Sequence, residues 1–150
     1  MSSSYVRSEV LSFLTTNFPS EKIIDLSGEY EYLTDFLLEN NISNEKWIGL
    51  QFNGGQEEPI TVNSTNISGD YRELGIVLIH IVEPARLGVG ALILSRAESI
   101  RDALRGQRIG NRILIDSMTP PNFEAGATLE FTGGYTSAAI IVSYQYDFSL

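Results

Sequence analysis

Val6, Val10, Phe13, Leu14 and Phe18 recur three and four positions apart, the spacing of one helical face, with Ser3 and Ser4 ahead of them as capping residues and Pro19 behind as a stop. A second stripe, Ile93, Ala97, Ile100 and Leu104, keeps the same period across Val89 to Leu104 and runs out at Gly106, a residue suited to ending a helix. Elsewhere the pattern is that of strands. "KWIGLQF" sets Trp47 on one side of an alternation and Ile48, Leu50 and Phe52 on the other; "NGGQEEP" follows with turn chemistry, and "PITVNS" reads as a short returning strand, so the three predict a hairpin. "LGIVLIHIV" is apolar almost throughout and stops at Pro84, as a central strand covered on both faces would. "RILIDSM" and "ATLEF" are further strands and "TGGY" a turn. In "SAAIIVSYQYDF", Ala138, Ile140, Val142, Tyr144, Tyr146 and Phe148 alternate with Ser137, Ala139, Ile141, Ser143, Gln145 and Asp147. Ile23 to Leu26 is a short apolar run, "YEYLTDFLLENN" follows a helical face through Tyr32 and Phe36, and "NSTNISGD" is an exposed loop. This order predicts an α+β fold, a largely antiparallel β-sheet packed by two main helices, in a single domain over residues 1–150.

Composition narrows the chemistry more than the fold. The chain has no cysteine and one histidine, so it can build neither a disulfide framework nor the usual zinc ligand sets, and no cofactor or metal is expected. The amino-terminal "MSSSYVRSEV" lacks the apolar run of a signal peptide and no segment has the apolar length of a membrane span, which predicts a soluble, intracellular setting with no membrane partner. The formal net charge is −9. It is unevenly spread: residues 1–70 carry 3 Lys or Arg against 11 Asp or Glu, whereas residues 71–116 carry 7 against 5. Opposite charge in different parts of one surface suits head-to-tail association of copies, and equally suits plain solvation.

Side chains that could carry catalysis do not gather. His80 lies inside an apolar strand with no imidazole, thiol or nearby serine for company, and reads as a core or interface histidine. Glu29, Glu31, Glu57 and Glu58 fall in polar stretches and read as solvated surface, and the glycines of "RLGVG", "GQRIG" and "TGGY" complete no phosphate-binding motif. Tyr135, Tyr144, Tyr146 and Phe148 have no basic neighbours in residues 117–150 and read as packing rather than base-stacking groups. No enzyme is predicted. What stands out is "RDALRGQRIGNR", with Arg101, Arg105, Arg108 and Arg112 in an acidic chain. The first three form a stripe beside the buried one if the helix continues that far. Such a stripe can hold phosphates, a membrane surface or the carboxylates of a neighbouring subunit; local pairing with Glu98 and Asp102 would satisfy two of the four.

The stretches "YRELGIVLIHI", "RDALRGQRIG" and "PPNFEAGATLEFTGGYTSAAIIVSYQY" resemble the tail terminator, or tail completion, proteins of long-tailed bacteriophages. The resemblance runs from about Gly69 to Phe148 and lies in the order of strand, helix, Arg-Gly turn and long last strand; Leu104 stands where that pattern would place an aromatic. It implies a virion protein at the head-proximal end of the tail, assembled in the host cytoplasm. It further implies a hexameric ring that caps the tail tube, stops its polymerisation and joins it to the head. The implied partners are further copies of the chain, the tail tube protein and a head-completion or neck connector, with viral DNA passing through the lumen without specific binding. On that reading Arg101, Arg105, Arg108 and Arg112 are candidates for the subunit interface. A nucleic-acid-binding module using the same arginines, and a neck or head-closure connector, are the alternatives.

Overall fold

The computed structural model describes residues 4–26, 45–59, 70–123 and 135–149. Its elements are α1 (Ser4–Asn17), β1 (Ile23–Asp25), β2 (Trp47–Pro59), β3 (Asp70–Pro84), α2 (Val89–Leu104), β4 (Arg108–Ile109), β5 (Ile113–Met118) and β6 (Tyr135–Ser149). The strands form one six-stranded sheet in the order β1-β2-β3-β6-β5-β4. Only β1–β2 is parallel; the other four pairings are antiparallel. The fold is thus α+β, with both helices where the apolar periodicity places them.

The alternation along β6 sets the two faces of the sheet. Ala138, Ile140, Val142 and Tyr144 pair across β3 with Ile81, Ile79, Val77 and Gly75, and β2 continues the same rows with Ile48, Leu50, Phe52 and Gly54. Onto this face α2 lays Ile93, Ala97, Ile100 and Leu104 and α1 lays Val6, Val10 and Leu14, all of them buried in one core. A fully buried Leu, Ile or Val contributes about 1.5–3 kcal/mol through the apolar area it removes from water, so this layer is the main source of stability. The opposite face buries Trp47, His80, Val82 and Ala139. Leu26 and the Trp47 ring lie over Gly49 there.

Two features curl the sheet. Tyr5 and Arg7 sit two residues apart on α1 and so point to opposite flanks of it. Tyr5 donates to the Gly110 carbonyl beside β4 and Arg7 pairs with Asp25 of β1, so the two edges of the sheet close on the same turn of helix. The second feature is a row of irregularities: β2 bulges between Gly54 and Gln56, β5 between Ile115 and Ser117, and both bulges border the row Gly54–Gly75–Tyr144–Ile115. Bulges in both flanking strands at one level bend the whole sheet there. The unpaired residues Gly55 and Asp116 accordingly line one shallow groove of about 430 Å3.

At the bend the Tyr144 ring crosses over Gly75 and its hydroxyl donates to Glu73 Oε2 at 2.7 Å. A Cβ on Gly75 would lie 2.5 Å from the Tyr144 hydroxyl and 2.8 Å from the Asn53 carbonyl oxygen, which is backbone and cannot swing away. Gly75→Ala is therefore expected to cost about 1–3 kcal/mol, as overpacked sites do. A chemical-denaturation midpoint within error of the wild type would show that the ring does not need the space.

Several expectations change. "NGGQEEP" is no turn: β2 runs through it to Pro59, takes the glycines as a bulge and pairs along its length with β3, so the turn predicted between two hairpin strands is itself strand. Local chemistry favours a turn at Gly-Gly, but a thirteen-residue strand against a fifteen-residue β3 has more ladder to gain than a turn would offer. β3 starts at Asp70, ahead of its apolar run. Ile23–Asp25 is a short parallel edge strand. The helical reading of "YEYLTDFLLENN", the strands proposed for 60–64 and "ATLEF", and most of "NSTNISGD" and "TGGY" lie outside the described residues.

Candidate functional site

The four arginines singled out from sequence do not share one environment. Helix α2 ends at Leu104, with Arg105 as its cap and Gly106 in the left-handed conformation at φ 69°, so the stripe of arginines ends with the helix and Arg108 belongs to β4. Arg101 donates to Glu98 at 2.7 Å and Arg105 to Asp102 at 2.6 Å, each one helical turn back, which is the local pairing anticipated for two of the four. Arg108 and Arg112 flank the tight turn joining β4 to β5, where Gly110 and Asn111 both have positive φ, at 58° and 63°. Both are exposed, and among the described residues neither makes an ion pair.

Strand register then places charges together that the sequence keeps far apart. Glu58 of β2 is opposite Arg72 of β3, and Arg72 is opposite Asp147 of β6. Because Ile113 is opposite Tyr146, Arg112 falls beside Asp147, whose backbone N–H donates to the Arg112 carbonyl at 3.4 Å. One row across three strands and the β4–β5 turn thus reads Glu58, Arg72, Asp147, Arg112, alternating acid and base from one flank of the sheet to the other. The middle pair is a two-pronged contact, Arg72 Nε and Nη2 donating to the two Asp147 carboxylate oxygens at 2.7 and 3.0 Å. Hydrogen bonding from Arg72 holds the Asp147 carboxyl below its usual range, with the charges of Arg72 and Arg108 adding to the effect; the same bond raises Arg72. Next along, on the helix-side face, Glu57 is opposite Glu73, two like charges that help make the β2 flank acidic.

A second charged cluster occupies the other end of β3, where no cluster is expected from the sequence. Arg96 of α2 is largely buried and spends its guanidinium on four contacts: Glu21 Oε1 and Oε2 at 3.1 and 2.6 Å, Glu83 Oε1 at 3.0 Å and the Val82 carbonyl at 3.1 Å. Glu21 and Glu83 are only 10% and 5% exposed, so this is a buried clamp tying the segment after α1 to the end of β3 and to α2. Lys46 and Arg86 lie at its rim, at 3.5 and 3.8 Å from the same two carboxylates. The signal was present in sequence: Arg96 falls three residues after Ile93 and four before Ile100, on the buried stripe's own period.

His80 is fully buried, in keeping with its apolar strand. Its Nε2 is 2.6 Å from Gln51 Oε1 on the neighbouring strand, a hydrogen bond that the Nε2–H tautomer donates, while Nδ1 is buried with no hydrogen-bond partner among the described residues. Burial pushes its pKa down to about 4. The C-terminal aromatics pack as expected: Tyr5, Tyr146 and Phe148 stack in succession at centroid distances of 4.9 and 5.2 Å, and Tyr71 stacks on Phe148 at 5.9 Å. Among the described residues no group of three or more His, Cys, Asp or Glu is placed to hold a metal ion, and no helix is long and apolar enough to cross a membrane.

Neither a protein-family model nor a curated protein matches the chain. Ten solved chains match, and one of them is similar over 98% of this chain and 95% of its own length, at 14% identity and a TM-score of 0.48.

Proposed function

We propose that this protein is a structural subunit of a bacteriophage tail, a terminator-like protein whose copies form a ring at the head-proximal end of the tail tube. The ring stops tube growth and offers the surface on which the head connector docks. Two things support the reading. The described parts of the stretches that resemble tail terminators include β3, the end of α2 and its following turn, and β6, which are adjacent parts of one sheet-and-helix unit. The observation that carries most weight is the sidedness of charge: the β2 flank ends in Glu57 and Glu58 and the β4–β5 flank in Arg108 and Arg112. A closed ring requires a heterologous contact, one patch meeting a different patch on the next copy, and flanks of opposite sign provide it.

A nucleic-acid-binding role for the same arginines is less well supported, because Arg101 and Arg105 already spend their charge on Glu98 and Asp102. The net charge of −9 also repels a polyanion outside that patch.

Copy number at the tail end is the direct test. The protein labelled and counted on purified tails is expected in several copies per particle, with a ring visible by negative stain. Duplex DNA binding near physiological salt is expected to be undetectable. A single copy per tail would overturn the reading. So would DNA binding that weakens log-linearly with salt, by about 0.9 per phosphate neutralised, and disappears in Arg105→Glu.

A further inference from the structure

The row Glu58–Arg72–Asp147–Arg112 has a property that none of its members has alone. Inside the sheet every charge has an opposite neighbour: Arg72 sits between Glu58 and Asp147, and Asp147 between Arg72 and the β4–β5 turn. At the two ends the alternation stops, and among the described residues one side of the terminal charge is unmatched, a carboxylate at the β2 flank and a guanidinium at the β4–β5 flank. β1 covers only Ile48 to Leu50 of β2, so among the described residues nothing pairs with the outer edge of β2 at Glu58. At the other end Arg112 is exposed in a turn, and Arg108 lies near enough to Asp147 to help depress its carboxyl.

We infer that the occupant of both flanks is a second copy of this chain, seated so that Arg112 of one copy meets Glu58 of the next and the alternating row continues from subunit to subunit. This rests on the ring reading above and names the surface such a ring would use. The two ends are chemically complementary and lie on opposite flanks of the sheet, so the contact is heterologous and repeats in one rotational sense, as a closed ring demands. Arg108 and Glu57 widen the basic and acidic ends on their own flanks. The ladder acts mainly on specificity: exposed ion pairs add little attraction, whereas a copy shifted by one position along the row would set like charges against each other. A second copy is favoured over an unrelated acidic or basic partner because both halves of the contact are present on the same chain and in the same row of the sheet.

The test uses two charge reversals, Arg112→Glu and Glu58→Arg, with the mass of each species followed by sedimentation or light scattering at low salt. Each variant presents two flanks of the same sign and repels itself, so self-association is expected to fall on the order of tenfold or more. Mixed in equal amounts the two are expected to assemble again. At one contact the two substituted side chains meet with their charges exchanged, acid from the first variant against base from the second, and at the next contact the native Arg112 meets the native Glu58, giving an alternating assembly. A variant that merely failed to fold could not be rescued in this way. Assembly of the wild type should weaken as salt shortens the range of the charges. If both variants assemble like the wild type, the row is not the contact, and the ring reading stands on its copy number alone. If the two variants stay apart when mixed, or if the wild type itself is monomeric at every concentration, this inference is overturned; the functional reading fails separately, on the count at the tail end or on Arg105-dependent DNA binding.

Discussion

Replacing Arg96 with methionine is expected to destabilise the fold by about 3–5 kcal/mol, the usual result of removing one partner from a buried ion cluster. The loss would come less from the arginine's own contacts than from what it leaves behind. Glu21 and Glu83 are almost fully buried and would lose the guanidinium that balances their charge, with only Lys46 at 3.5 Å and Arg86 at 3.8 Å as further cations paired with them among the described residues. The effect is measurable as a lower urea midpoint at unchanged slope, or as a fall in Tm of roughly 10 °C for a chain of this size. Two companion variants separate charge from geometry. Arg96→Lys keeps the charge but cannot make the two parallel bonds to Glu21, so it should fall between the methionine variant and the wild type. Combining Arg96→Met with Glu21→Gln and Glu83→Gln removes the stranded charges and should recover much of the loss. If Arg96→Met cost less than about 1 kcal/mol, the two carboxylates would have to reach water without it.

The same residue shows what the sequence could and could not tell. Period and burial were legible wherever one period ruled: the stripe in α2 matches its buried positions residue for residue, and in β6 the alternation from Ala138 to Tyr146 lies on the core face, although Ser137 and Ala139 are buried on the other face and Phe148 is only partly buried. Arg96 was legible in principle, since a charge on the period of a buried stripe must find a partner, although the denser arginines that follow it are the more conspicuous signal. Those arginines divide at the end of the helix. Arg101 and Arg105 pair within one turn, which spacing alone can predict, and Arg108 leaves the stripe because Gly106 breaks the helical period.

What spacing cannot supply is register. Arg72 and Asp147 are 75 positions apart, and their pairing follows only from the unbroken β3–β6 register, while the bulges at Gly55 and Asp116 set which residues of β2 and of the β4–β5 turn stand beside them. A shift of one residue in β6 would turn Asp147 to the other face and dissolve the row. The missed continuation of β2 has the same origin: Gly-Gly favours a turn locally, and it is the Tyr144 ring from another strand that uses the open space at that level of the sheet.

Stability should also fall as the pH drops from about 6.5 towards 4, and His80 should account for about 3 kcal/mol of that fall. In the unfolded chain the imidazole titrates near 6.5, whereas burial holds it down at about 4 in the fold. Between those values the unfolded state binds a proton that the folded state refuses, so unfolding gains with every step down in pH; at about 1.4 kcal/mol per unit, the displacement amounts to the figure given. The sign is opposite to that of a histidine stabilised by a carboxylate, and nothing of the kind faces this ring: Nε2 meets the neutral amide of Gln51 and Nδ1 meets no described group. Carboxylates contribute a loss of the same direction. Asp147, held below its usual range by Arg72, supports the fold above its unfolded pKa and gives that support up as pH falls through its folded one. Comparing wild type with His80→Gln removes that background, because Asp147 sits at the far end of β6 and acts equally in both. The difference in unfolding free energy between the two proteins should therefore shift in favour of the variant by about 3 kcal/mol between pH 7 and pH 4, measured by urea titration at each pH. A difference that stays flat across that range would mean the ring is open to water in the folded protein, and that the burial of this face is not as tight as the packing of Trp47, Val82 and Ala139 around the strand implies.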